Sequence, residues 1–80
     1  MSKFYIHFRN GDVIATDDVG IDLPGLAEAK VNALVSGREI LADNVKSNAV
    51  NPLTEIIITN QNGVQLATIL AKDILPEPLQ

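Results

Sequence analysis

The sequence predicts one α+β domain, in which two β-hairpins form an antiparallel sheet and one long helix packs on one face (ββαββ). Near both ends of the chain, apolar and polar residues alternate with a period of two around an Asn-Gly pair. The central segment instead repeats its small and apolar residues with helical spacing. A chain of 80 residues has room for a single domain.

The first hairpin is expected over residues 3–17. Asn10-Gly11 is a strong signal for a two-residue type I′ turn, whose central residues both need a positive φ. A loop at that pair sets Arg9 opposite Asp12 and Ala15 opposite Ile6. One face then collects Phe4, Ile6, Phe8, Val13 and Ala15, and the other collects Tyr5, His7, Arg9, Ile14 and Thr16.

The helix is expected over residues 25–46, after a connection that contains Gly20 and Pro24. Either Asp22 or Gly25 could cap its N-terminus, and the sequence leaves both open. Its polar stripe is narrow, which indicates a helix covered on two sides. That stripe consists of Glu28, Asn32, Ser36, Glu39, Asp43 and Lys46. A ridge of small residues four apart (Ala29, Ala33 and Gly37) indicates close packing, and Leu34 is expected in the core.

The second hairpin is expected over residues 53–71, with a type I′ turn at Asn62-Gly63. This turn pairs Ile56 with Ile69, Ile57 with Thr68, Ile58 with Ala67 and Thr59 with Leu66. Ile56 is expected in the core, facing Leu34. The tail, residues 75–80, is expected to be frayed. The strand order stays open, and two separate hairpins bridged by the helix are an alternative to one sheet.

Composition narrows the function classes. The chain is 46% hydrophobic, which is too apolar for a disordered segment, and it contains no Cys and one His. We therefore expect no metal site and no cofactor. The net charge of −4 disfavours binding to a nucleic-acid backbone, although Lys3, Arg9, Lys30 and Arg38 keep that class as a third hypothesis. The same charge makes the chain acidic. Because it has no long apolar run, it is expected to be soluble and cytoplasmic, with no membrane contact.

Two sets of residues are candidates for a functional surface. Tyr5, His7 and Arg9 form a polar row on one strand and could bind a small ligand, with His7 facing away from the helix and opposite Ile14. No nucleophile or orienting acid accompanies His7, so a packed strand histidine is the simpler interpretation. The acidic residues around the first loop fit turn and cap roles. The second set, a candidate interface on the same sheet face, is Ile14, Ile57, Leu66 and Leu70.

The sequence also resembles a family of short bacterial proteins, from rhizobia-like alphaproteobacteria, described as a domain of unknown function. The resemblance rests on the aromatic first strand with His7, then Gly11. It continues through Asp17, Gly20, Leu23-Pro24, Ala29-Lys30 and Ala33-Leu34 to Asn62-Gly63 and Asp73. Gly25 departs from the Asp that the family often has there. The resemblance implies a fold and a bacterial cytoplasm, and no activity.

These observations favour a non-catalytic interaction module that acts as a homodimer, with a further protein partner left open. The alternative is a small-ligand binder or enzyme centred on His7, Tyr5 and Arg9. The dimer could form by packing sheet on sheet, which is slightly favoured, or helix ridge on helix ridge. A monomer in which Ile74-Leu75 folds back over the outer sheet face is the competing prediction.

Overall fold

The computed structural model describes residues 1–74, which form five strands and two helices. In chain order the elements are β1 (Ser2–Asn10), β2 (Val13–Ala15), β3 (Ile21–Leu23), α1 (Leu26–Ser47), β4 (Glu55–Thr59), β5 (Gln65–Leu70) and α2 (Ala71–Ile74). The predicted α+β class, with an antiparallel sheet and one long helix, is confirmed. Two short elements were not predicted: β3, within the expected connection, and α2. The expected frayed tail lies outside the described residues.

The sheet has the order β2-β1-β4-β5, with every pair antiparallel, and β3 pairs with the first residues of β1. β1 is central because it pairs with β2 and β3 as well as with β4. Its pairing with β4 runs from Tyr5 opposite Thr59 to Arg9 opposite Glu55. The two hairpins therefore share one sheet, and the alternative of separate hairpins bridged by the helix is wrong.

The first hairpin turns one residue later than predicted. Asn10 pairs with Val13, and Arg9 pairs with Ile14 instead of Asp12. The loop is therefore Gly11-Asp12, with a positive φ of 66° at Gly11 only, so the predicted type I′ turn is wrong. The backbone N–H of Gly11 donates to Oγ1 of Thr54, just before β4, at 3.3 Å, and this contact holds the turn from outside the hairpin. A register change of two residues keeps each side chain on its predicted face.

The second hairpin has a three-residue loop, Gln61 to Gly63, in place of the predicted Asn62-Gly63 turn. The N–H of Gly63 donates to the carbonyl of Asn60 at 3.0 Å, and φ of Gly63 is 81°. A tight turn followed by a left-handed glycine is the usual three-residue hairpin. The predicted pairs of Ile56, Ile57 and Ile58 are found, but the register shifts after them, so Thr59 pairs with Gln65 instead of Leu66.

Helix α1 lies on one face of the sheet and presents its small residues to it. Ala29, Ala33 and Gly37 are buried together with Leu41, and they face a core from β1 and β4. That part of the core consists of Phe4, Ile6, Ile56 and Ile58. Because the helix residues that face the sheet are small, the helix axis can come close to the sheet. The isoleucine side chains of the sheet then fill the space between the two layers.

Leu34 lies only half-buried, so its predicted place in the core is wrong. The helix is rotated so that the small ridge, and not the side with Leu34, meets the sheet. Val31, Val35 and Val45 are consequently 62%, 48% and 74% exposed. At the start of the helix the N-cap is Gly25, because Asp22 belongs to β3.

The helix comes close to its neighbours at Gly37. A Cβ atom at this position would lie 2.7 Å from Cδ1 of Ile56 and 2.9 Å from Cδ1 of Ile74. Ile74 is thus packed on the helix side of the sheet, so the prediction that it covers the outer face is wrong; Leu75 lies outside the described residues. In residues 1–74, neither helix has the length and hydropathy needed to cross a membrane.

Candidate functional site

The predicted polar row on β1 points away from the helix. Tyr5, His7 and Arg9 alternate with the buried Phe4 and Ile6, and all three are half-buried on the outer face. Their neighbours differ, however. Arg9 contacts Glu55, whereas Tyr5 and His7 lie beside the loop between β2 and β3. The row therefore divides into two separate groups.

The loop beside His7 results from a local mismatch in the edge strand. Ala15 is opposite Phe8 and Ile21 is opposite Phe4, so three residues of β1 face five residues of the loop, 16–20. The additional residues leave the ladder, as in a β-bulge. Gly20 allows the return to β3 with a φ of 78°.

The carboxylate of Asp17 holds this loop. Its Oδ2 accepts the backbone N–H of Ile6 at 3.2 Å, which would otherwise lack a ladder partner. Its Oδ1 accepts the N–H groups of Val19 and Gly20, both at 3.0 Å. One side chain thus replaces the missing backbone pairing and closes the turn.

These hydrogen bonds lower the pKa of Asp17. Partial burial is the largest single influence and raises the pKa of the carboxyl. The N–H groups of Gly20, Ile6 and Val19, together with the ring of His7, outweigh that burial, so the net pKa lies below the usual value for Asp. Asp17 is therefore ionised at neutral pH.

His7 is held at both ring nitrogens. The backbone N–H of Asp17 donates to Nδ1 of His7 at 3.0 Å, and Oγ1 of Thr59 lies 3.0 Å from Nε2. Because Nδ1 accepts a hydrogen bond, the neutral ring carries its proton on Nε2 and donates it to the buried Thr59. The ring links the loop after β2 to β4, across β1. This arrangement fixes the ring and leaves neither nitrogen free.

A small concavity of about 270 Å³ lies beside this histidine. It is lined by Tyr5, His7, Asp17, Asp18, Thr59, Asn60, Gln61 and Gly63. Its volume is below the usual range for a drug-sized ligand, so it suits a small polar group or ion. In residues 1–74, no cluster of three or more His, Cys, Asp or Glu side chains could hold a metal ion.

The candidate interface residues spread across the outer face. Arg9 Nε lies 2.9 Å from Glu55 Oε1, and this pair stands between Ile14 on β2 and Leu70 on β5 in one cross-strand row. Ile14 and Leu70 are 42% and 39% exposed at opposite edges of the sheet. Ile57 is half-buried at the centre, opposite His7.

Sequence reasoning missed two features of these surfaces. The contact between Asp17 and His7, and the partner Thr59, depend on the pairing of β1 with β4, which no local pattern indicates. The second is a larger apolar cleft, about 640 Å³, between the end of α1 and the start of α2. Leu41, Val45, Leu53 and Leu70 line it together with Lys72.

Residues 3–71 match the family model described as "Domain of unknown function (DUF6894)". No curated protein matches the chain. No solved structure matches it either.

Proposed function

The chain belongs to the DUF6894 family, and we propose that it is a small interaction module that acts as a homodimer and catalyses no reaction. The observation that carries this proposal is the uncovered outer side of the sheet. Both helices of the described chain lie on the opposite side, and Leu66 and Leu70 are 38% and 39% exposed. Apolar side chains left on an open sheet are typical of a surface that binds another protein.

The buried small ridge favours the sheet side over the helix side for this dimer. Ala29 and Ala33 are both 0% exposed because they face the sheet. Because these two side chains are buried, the proposed dimer uses the sheet and not the alternative of ridge packed on ridge. The proposed setting is the bacterial cytoplasm, in line with the family resemblance described above.

Light scattering after size exclusion tests the homodimer. We expect a mass twice that of one chain at micromolar concentrations, with dissociation on dilution. Val35→Glu is a suitable control variant, because Val35 lies on the exposed side of α1 and its substitution should leave the dimer intact. A mass of one chain that persists as the protein is concentrated would contradict the proposal.

A second candidate function is a small-ligand binder, or an enzyme, at Tyr5 and His7. The concavity beside these two side chains favours it, and Asp17 and Asp18 make small cationic compounds the class that fits. Arg9 forms an ion pair with Glu55 and does not line the concavity, so it is not part of this candidate site.

Titration with methylammonium, followed by NMR, tests this second candidate. Saturable shifts confined to Tyr5, His7 and Asp18 at millimolar concentrations would support it. His7→Phe is the matched variant that should abolish those shifts. An absence of saturable shifts would leave the interaction module as the better explanation.

A further inference from the structure

We infer that the homodimer forms through the edge of the sheet, by antiparallel pairing of β5 with β5 of a second copy. The inference rests on the proposed homodimer and specifies its interface. β5 is the last strand in the order β2-β1-β4-β5. In residues 1–74 it pairs only with β4, so its outer backbone groups have no strand partner.

The direction of those backbone groups follows from the ladder. Ala71 donates its N–H to the carbonyl of Thr54, which continues the pairing of β4 with β5. Because an antiparallel ladder alternates, Ile69 and Ala67 direct their backbone groups to β4 as well. Thr68 and Leu70 then direct theirs to the free edge, where a second strand could bind them.

The composition of β5 lacks the features that keep sheet edges apart. The strand reads Gln-Leu-Ala-Thr-Ile-Leu, with no Pro and no charged residue. Natural proteins protect exposed edges with charges, prolines, bulges or very short strands, and of these β5 has only the register shift at Leu66, near its first residue. An uncharged edge of six residues can pair with its own copy without like-charge repulsion, although the whole chain carries −4.

The opposite edge of the same sheet shows that protection. It consists of β2 and β3, with three residues each, separated by the loop that Asp17 holds. Asp22 lies within β3, and Asp12 and Asp18 flank the two segments. The sheet therefore has one protected edge and one open edge, which points to β5 as the pairing strand.

The side chains of β5 suit a twofold pair centred on Thr68. Residues that face each other in an antiparallel pair share one face of the sheet. In the register with Thr68 opposite Thr68, Leu66 of one copy meets Leu70 of the other, on the outer face at both ends. These two leucines are among the exposed apolar residues of the chain, and the pair would bury both.

Packing of two outer faces on each other is less favourable. It would bury the Arg9–Glu55 ion pair, which lies between Ile14 and Leu70. The cost of removing a charged pair from water can exceed the attraction between the two charges, which disfavours an interface that covers this pair. Edge pairing leaves this ion pair in contact with solvent and adds backbone hydrogen bonds.

Two substitutions at Thr68 test the inference by light scattering. Thr68→Pro removes an N–H that faces the free edge and leaves the ladder with β4 complete. Loss of the two hydrogen bonds at the twofold axis should weaken the dimer on the order of 30-fold.

Thr68→Lys places two like charges opposite each other and should also give monomers. Thr16→Lys, an equal charge change at an exposed position near the other edge, should remain dimeric.

The outcomes separate this inference from the proposed function. A dimeric wild type with monomeric, folded Thr68 variants supports edge pairing, and Thr68→Lys decides if the proline variant unfolds. A wild-type dimer that both Thr68 variants retain, but that Ile57→Glu dissociates, would overturn edge pairing and keep the homodimer. A monomeric wild type would overturn both.

Hydrogen exchange tests the pairing directly. The amides of Thr68 and Leu70 should gain protection from exchange as the protein concentration rises, whereas the amides of Ala67 and Ile69 should be protected at every concentration.

Discussion

Asp17 shows how one side chain can replace a stretch of strand pairing. The loop of residues 16–20 is too long for the β1 residues opposite it, so the ladder opens between β2 and β3. The carboxylate of Asp17 accepts three backbone N–H groups there. The backbone N–H of Asp17 itself donates to Nδ1 of His7. A residue that looks like an ordinary turn former in the sequence is thus central to the edge of the sheet.

Substitution of Asp17 should destabilise the protein in a pH-dependent way. Asp17→Asn is expected to lower the free energy of unfolding at neutral pH by about 1–3 kcal/mol, because hydrogen bonds to a charged group are lost. The lowered pKa means that the wild-type advantage is full above the usual pKa of Asp. It disappears as the pH falls through the lower, folded-state pKa.

Urea unfolding of both proteins across acidic and neutral pH measures this difference. Asp18→Asn is the matched control, since Asp18 is exposed and should have a much smaller effect. Equal destabilisation by the two substitutions, or a difference that grows as the pH falls, would contradict the role of Asp17.

Gly63 offers a clean measure of backbone conformation. Its φ is 81°, and a Cβ at this position would meet nothing within 4 Å. Gly63→Ala should therefore cost about 1–2 kcal/mol through the left-handed conformation alone. Gly63→Asn should cost less, because Asn tolerates that conformation better. Thermal unfolding measures both, and an unchanged midpoint for the alanine variant would contradict the three-residue turn.

At the scale of elements, the contact between α1 and the sheet is set by small residues. The ridge of Ala29, Ala33 and Gly37 brings the helix close enough for Ile56 to reach the helix backbone. Glycine inside a helix costs about 1 kcal/mol relative to alanine, and close packing offsets that cost. Ile74 of α2 uses the same gap, so Gly37 joins three elements.

Gly37→Ala should therefore destabilise the protein although it improves helix propensity. The added methyl group would lie 2.7 Å from Cδ1 of Ile56, which is fully buried. We expect a net loss of about 1–2 kcal/mol, after the gain in propensity is subtracted from the cost of overpacking. Combining it with Ile56→Val removes the clashing atom and should give less than additive destabilisation. Additive losses in chemical unfolding would argue against this contact.

At the scale of the whole molecule, the core belongs mainly to the sheet. Ile56 and Ile58 are the largest fully buried side chains of the described residues, and both lie on the central strand β4. The helix covers them with small side chains and leaves several valines exposed. A domain of this size depends heavily on a few buried residues, because its core is small.

Truncation of Ile56 should therefore be far more damaging than truncation of Leu34. Ile56→Ala is expected to cost about 2–5 kcal/mol, much of the stability of a small domain. Leu34→Ala should cost less, because Leu34 is half-buried and outside the core cluster. Guanidinium unfolding monitored by circular dichroism compares them. A larger loss for Leu34 would mean that the helix is rotated from the orientation described here.

Local patterns in the sequence were enough to determine the α+β class and the side-chain faces. Alternation with a period of two separates Ile6 from His7 whatever the loop, because a shift of two residues preserves the faces. The small ridge and Gly37 likewise predicted a close helix contact. The family resemblance added a fold and no function, and the family match agrees with it.

Only the tertiary structure decided the registers, the strand order and the neighbours of each candidate residue. Thr54, which follows the helix in sequence, accepts a hydrogen bond from Gly11 in the first turn. Thr59 contacts His7, which lies 52 positions earlier in the chain. Leu34 lies outside the core because the small ridge of α1, and not the side with Leu34, faces Ile56 and Ile58. Such contacts join segments distant in sequence, and their energies depend on packing, so no local periodicity encodes them.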